Sequence, residues 1–153
     1  MKLEKDYEEF IELLNAHKVR YLIVGAYAVS FYARPRNTGD IDFFVGITPQ
    51  NVENLLQAIK EFGFTELQLD YNDFKDEDTI LQLGYEPVRI DIMTGISGVT
   101  FEKAYQNRKK AKLGSQEVSF ISFGDLLKNK RASDRTKDKA DAELLEEFRD
   151  QGD

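Results

Sequence analysis

The stretch Thr38-Gly39-Asp40-Ile41-Asp42-Phe43-Phe44-Val45 decides how this chain is read. It opens after a glycine, sets two aspartates one residue apart and then turns apolar, as a strand entering a core does. Side chains at i and i+2 of a strand share a face, with Cα atoms roughly 6.5–7 Å apart. Asp40 and Asp42 can therefore serve one cation at the start of the strand. Aspartate is disfavoured in strands, and two on one face call for a compensating positive charge. Magnesium fits: it prefers hard oxygen ligands, and a few carboxylates usually hold it together with substrate phosphates.

Upstream, Tyr21-Leu22-Ile23-Val24 is an apolar run ended by Gly25 and reads as a buried strand. A small apolar helix follows from Ala26 to Ala33, and Arg34-Pro35-Arg36-Asn37-Thr38-Gly39 breaks it as a loop. Gly25 thus stands where a strand gives way to a helix. Backbone amides at a helix N-terminus, with no side chain in the way, make a seat for phosphate. Downstream, Val88-Arg89-Ile90-Asp91-Ile92-Met93 alternates strictly and puts Asp91 and Arg89 on one face. If this strand lies beside that of Asp40, three carboxylates converge. That is the minimum for a two-metal site, with ions ~3.5–4 Å apart acting on a displacement at phosphorus.

The remaining pattern supplies the scaffold. A helix over about Asp6–Ala16 carries Tyr7, Phe10, Ile11 and Leu14 at helical spacing, and a second runs from Thr48 or Pro49 to Phe62 with Gly63 as its stop. Phe64–Leu69 and Thr79–Leu83 are candidate strands around an acidic loop, and Phe101–Asn107 is a short helix. Ala111–Leu113 and Glu117–Ile121 form a hairpin across Gly114-Ser115. Phe123–Ala132 and about Thr136–Phe148 close the chain as a helical pair. The expected architecture is α/β (α+β): one domain over 1–153, a mixed sheet with flanking helices.

Composition narrows the chemistry. The 153 residues include no cysteine and one histidine, His17. Disulfides, thiolate metal sites, histidine clusters and a serine–histidine triad are thereby excluded. The start, Met1-Lys2-Leu3-Glu4-Lys5-Asp6, is too charged for a signal peptide, and no apolar run reaches the ~18 residues of a membrane span. A cytoplasmic protein is expected. The net charge of −7 argues against non-specific nucleic-acid binding. The stretch Lys103–Lys139 is nevertheless basic, which suits a phosphate-rich ligand, or else is a solvated face. The acids Asp70, Asp73, Asp76, Glu77 and Asp78 lack the spacing of a calcium loop. Tyr27, Phe31 and Tyr32 read as core, as does at least one of Phe43 and Phe44.

In order, Gly25-Ala26, then Asp40-Ile41-Asp42, then Asp91 resembles the signature of the nucleotidyltransferase superfamily: a glycine pair, a spacer, a D-x-D and a later third carboxylate. Arg36-Asn37-Thr38-Gly39-Asp40-Ile41-Asp42-Phe43 is similar to the R-x-T-x-D-[ILV]-D-[FL] element of its small AbiEii/MenT-like branch. Arg89-Ile90-Asp91 is similar to that branch's basic–x–acid motif. The tail, from Asp125 through Lys130, Arg135, Lys137 and Asp138 to Asp141, looks like its closing pattern. The resemblance spans residues 21–145, with Ala26 standing where the family usually has glycine or serine.

It implies a nucleotidyltransferase fold and magnesium-dependent transfer of a nucleotidyl group from a nucleoside triphosphate to a hydroxyl or phosphate. Asp40, Asp42 and Asp91 would be catalytic and hold Mg2+. Gly25, Ala26, Thr38, Arg36, Arg89, Lys130, Arg135 and Lys137 would contact the nucleotide. Asp138 and Asp141 are either site residues or partners of nearby cations. The acceptor stays open among RNA, protein and small molecules. The branch also suggests a toxin-type enzyme with a cognate antitoxin. The competing reading is a catalytically silent nucleotide-binding or toxin–antitoxin interaction module of the same fold. An aspartyl phosphohydrolase is disfavoured, because here the aspartates precede the apolar residues of their strand.

Overall fold

The computed structural model describes residues 3–35, 39–65 and 67–149. Helix α1 (Lys5–Ala16) forms on its apolar stripe, and Tyr7, Phe10, Ile11 and Leu14 are all buried. Helix α3 (Pro49–Phe62) starts where the Thr48 hydroxyl accepts from the Asn51 amide, has proline in its first turn and stops at Gly63, φ +123°. These two helices pack together, with the Phe10 ring against both Phe43 and Phe62 at 5.6 and 5.1 Å between centroids. Fully burying such a ring stabilises the fold by roughly 1.5–3 kcal/mol, so this stripe anchors the sheet above it.

The sheet has six strands: β1 (Tyr21–Val24), β2 (Ile41–Val45), β3 (Ile80–Tyr85), β4 (Val88–Met93), β5 (Lys109–Leu113) and β6 (Gln116–Phe120). Their spatial order is β3-β4-β2-β1-β6-β5. The pairs β1–β6 and β2–β4 are parallel, and β1–β2, β3–β4 and β5–β6 are antiparallel, so the sheet is mixed as expected. Helix α2 (Gly25–Tyr32) connects β1 to β2, α4 (Phe101–Gln106) places Phe101 on Phe44, and α5 (Phe123–Ala132) and α6 (Thr136–Arg149) form the closing pair. Both Phe43 and Phe44 are buried. No described helix is long and apolar enough to cross a membrane.

One expected element does not form. Among the described residues of 64–69 there is no strand. Phe64 stacks on Phe62 at 5.9 Å instead, and Phe64 and Leu69 pack against the core while Leu67 is exposed. The acids that follow bond among themselves. Asp70 accepts from the Asn72 amide and Asp73 from the Asp70 amide, closing a single 3-10 turn over Tyr71–Asp73. Strand β5 begins two residues earlier than expected because Lys109 and Lys110 pair with Phe120 and Ser119. Lysine on an edge strand guards it against further pairing.

Candidate active site

The register of β2 against β4 brings the two strand aspartates together. Asp42 pairs with Asp91, and Gln82 on β3 completes the cross-strand row. Asp40 lies one residue before β2 begins, so strand pairing does not fix it. Its position is set from below by the hydroxyl of the fully buried Tyr7, which donates to the Gly39 carbonyl at 2.5 Å and accepts from the Arg89 amide at 3.1 Å. Burial pushes that phenol up to about 12. The sequence pattern marked Tyr7 only as a core position; nothing in its spacing signalled a polar clamp between the Asp40 lead-in and β4.

Gly25 opens α2 in the left-handed region, φ +69°, and its Cα lies against the Asp42 carboxylate. Gly25, Ala26, Asp40, Asp42, Arg89, Asp91, Lys130, Arg135 and Lys137 all line one cleft of about 680 Å3. Every described residue expected at the site is therefore gathered there; Arg36 and Thr38 lie outside the described residues. The wider basic stretch divides. Lys130, Arg135 and Lys137 reach the cleft, whereas Lys109, Lys110 and Lys112 sit on β5 at the sheet's far edge.

Six carboxylates and four cations line the cleft, so it is acidic on balance. Burial, followed by the neighbouring carboxylates of Asp91 and Asp40, pushes Asp42 up to about 7, with Lys130 opposing. Asp40 is also raised, by burial first, against the pull of Arg89. Arg89 donates through Nε and Nη2 to the two oxygens of Asp91 at 2.9 and 3.1 Å, and through Nη2 to Asp40 Oδ2 at 2.6 Å. The Lys130 ammonium is buried and meets Asp138 at 2.9 Å and Asp141 at 3.3 Å. Burial alone would raise Asp138, but hydrogen bonds from Ser133 and Lys130 outweigh it and hold its carboxyl below the usual range. Lys130 is thus already neutralised, and Arg135 and Lys137 are the exposed cations of the wall.

As they stand, no three acids or histidines among the described residues enclose an ion, since Arg89 fills the space between Asp40 and Asp91. The donor set still fits a hard divalent cation. Three carboxylates face one cleft, Asp40 Oδ1 is buried without a hydrogen-bond partner, and burial, with Asp91 and Asp40 beside it, raises Asp42 toward neutrality.

The architecture is shared with solved structures, among them the following two. The lincosamide antibiotic adenylyltransferase LnuA, solved with lincomycin bound, matches with a TM-score of 0.56 over 95% of this chain and 98% of its own, at 14% identity. ANT(2")-Ia, in complex with adenylyl-2"-tobramycin, matches with a TM-score of 0.54 over 91% and 84%, at 12% identity. At these identities the likeness establishes a nucleotidyltransferase fold. No curated protein matches the sequence. The model of a family described as nucleotidyl transferases of unknown function matches residues 3–152. The chain therefore belongs to that nucleotidyl transferase family, and the superfamily expected from Gly25, Asp40, Asp42 and Asp91 is the right one.

Proposed function

We propose that the whole chain works as one magnesium-dependent domain that moves a nucleotidyl group from a nucleoside triphosphate to an acceptor hydroxyl. The observation that carries this reading is the row Asp42–Asp91, with Asp40 beside it and the α2 N-terminus against it, in the cleft that also holds Arg135 and Lys137. Asp40, Asp42 and Asp91 would hold the ions, which supply charge stabilisation at the attacking and leaving oxygens. The amides of Gly25 and Ala26 seat phosphate oxygens at the start of α2. Arg135 and Lys137 offset the triphosphate's charge. The acceptor oxygen bonds to the α-phosphorus, its proton passes to Asp91, and the bond to the departing pyrophosphate breaks.

A small-molecule acceptor is favoured by the company the fold keeps, since LnuA is a lincosamide antibiotic adenylyltransferase solved with lincomycin and ANT(2")-Ia was solved with adenylyl-2"-tobramycin. Kinship with the AbiEii/MenT-like branch, and with it a toxin role and an antitoxin partner, rests on the motifs alone. Nucleoside triphosphates labelled at the α-phosphate, incubated with Mg2+ and size-fractionated lysate, test the reading. Label should move into one fraction with wild-type protein and not with Asp42→Asn. Equal labelling by both proteins would remove the carboxylates from the reaction.

A further inference from the structure

Two of the three carboxylates assigned above to magnesium, Asp40 and Asp91, are already bound by a cation of the chain's own. Arg89 grips both oxygens of Asp91 and one of Asp40, and its Nη1 reaches Glu86 Oε1 at 3.1 Å. A guanidinium can do this because its planar fork presents several N–H donors at fixed angles, where an ammonium would act as a point charge. The hydrogen bond to Asp91 is the leading cause that holds Arg89 firmly cationic.

A divalent ion needs the same oxygens, and it would be repelled by a guanidinium left among them. The two occupants exclude each other. Two features make exchange feasible. Asp40 Oδ1, buried and without a hydrogen-bond partner, is an oxygen that Arg89 does not hold. Glu86, exposed at the β3–β4 turn, gives the displaced fork a partner at the cleft mouth.

We propose that Arg89 is a built-in counter-ion that holds Asp40 and Asp91 in the ion-free protein and yields them when divalent metal enters. The proposal rests on the assignment of the three carboxylates to metal. Its consequence is that the cost of displacing Arg89 is subtracted from ion affinity, so metal alone binds weakly and the nucleotide's phosphates are needed to complete the exchange.

Titration calorimetry with Mn2+ on nucleotide-free wild type, Arg89→Gln, Arg89→Lys and Asp42→Asn separates the two claims. Hydrogen bonds to charged groups have the size that makes Arg89→Gln bind Mn2+ roughly ten- to a hundredfold tighter than wild type. Its melting temperature should fall without ion and recover with it. Arg89→Lys, whose single ammonium cannot span both carboxylates, should lie between the two, and it carries the test if Arg89→Gln does not fold. Equal or weaker Mn2+ binding by the folded variant overturns the counter-ion. Loss of wild-type binding in Asp42→Asn would still leave the metal assignment standing. Absence of Mn2+ binding in both wild type and the Arg89 variants sinks the metal assignment and the counter-ion together.

Discussion

A Cβ placed on Gly25 would come within 2.0 Å of Oδ2 of Asp42. The first turn of α2 and the carboxylate of β2 are packed backbone against side chain, and only glycine permits that approach. Its φ of +69° is a second reason, because an L side chain is strained there. Gly25→Ala is expected to cost roughly 1–3 kcal/mol, as strained backbone does, and to push Asp42 out of line. Urea unfolding reads the first effect. Loss of nucleotide-dependent stabilisation reads the second, and unchanged nucleotide binding would show that the close contact does not matter.

Asp42 gives the ion-free protein a definite pH dependence. Its carboxyl is raised from 3.8 to about 7, so the folded state holds a proton that the unfolded chain releases. That contribution is fully present below about pH 4 and is lost as pH rises through about 7. With a chelator present, the melting temperature of wild type should fall over this window relative to Asp42→Asn, which carries no titrating charge. Added magnesium should restore more stability at high pH than at low pH. A wild-type curve that rises relative to the variant would contradict the burial of Asp42 beside Asp91.

Tyr7→Phe removes one oxygen and keeps the ring, which packs edge-on against Tyr27 at 6.0 Å. The Gly39 carbonyl and the Arg89 amide lose their shared partner, at a cost of about 1–3 kcal/mol. Because the clamp sets the lead-in to Asp40, the variant should also need more magnesium for half-maximal nucleotide binding. A stability loss with an unchanged magnesium requirement would make Tyr7 a core residue and nothing more.

The cleft's cations should separate into two kinds. Lys130→Met takes the buried cation away from Asp138 and Asp141, and breaking a buried pair costs about 3–5 kcal/mol. Arg135→Ala and Lys137→Ala sit in solvent and should change stability by no more than about 0.5 kcal/mol, while weakening nucleotide binding. Chemical denaturation and nucleotide titration of the three variants check this. A stable Lys130→Met with impaired nucleotide binding would instead give Lys130 the phosphate role.

Much of this was legible in the residues themselves. Asp42 and Asp91 betrayed themselves as aspartates inside apolar strands, and Gly25 as the stop between a strand and a helix. Alternation along β4 was enough to put Arg89 and Asp91 on one face. What sequence could not supply was pairing between distant elements. Tyr7 sits where any core aromatic would, and its role exists only because α1 passes beneath Gly39 and Arg89. That Lys130 meets Asp138 and Asp141 follows from α6 packing back on α5, a pairing no local pattern around Lys130 encodes. Phe64, read as the start of a strand, stacks on Phe62 of α3 instead.

In the proposed reaction Asp40, Asp42 and Asp91 bind a nucleoside triphosphate through magnesium. Thermal unfolding with each ribonucleoside triphosphate, with and without Mg2+, tests it for wild type and Asp42→Asn. A ligand at about a hundred times its dissociation constant adds about 2.7 kcal/mol, enough to raise the melting temperature of a domain this size by several degrees. A magnesium-dependent rise is expected with at least one nucleotide, and it should vanish in Asp42→Asn. A rise that persists without magnesium or in the variant, or no rise with any nucleotide, would contradict that mode of binding.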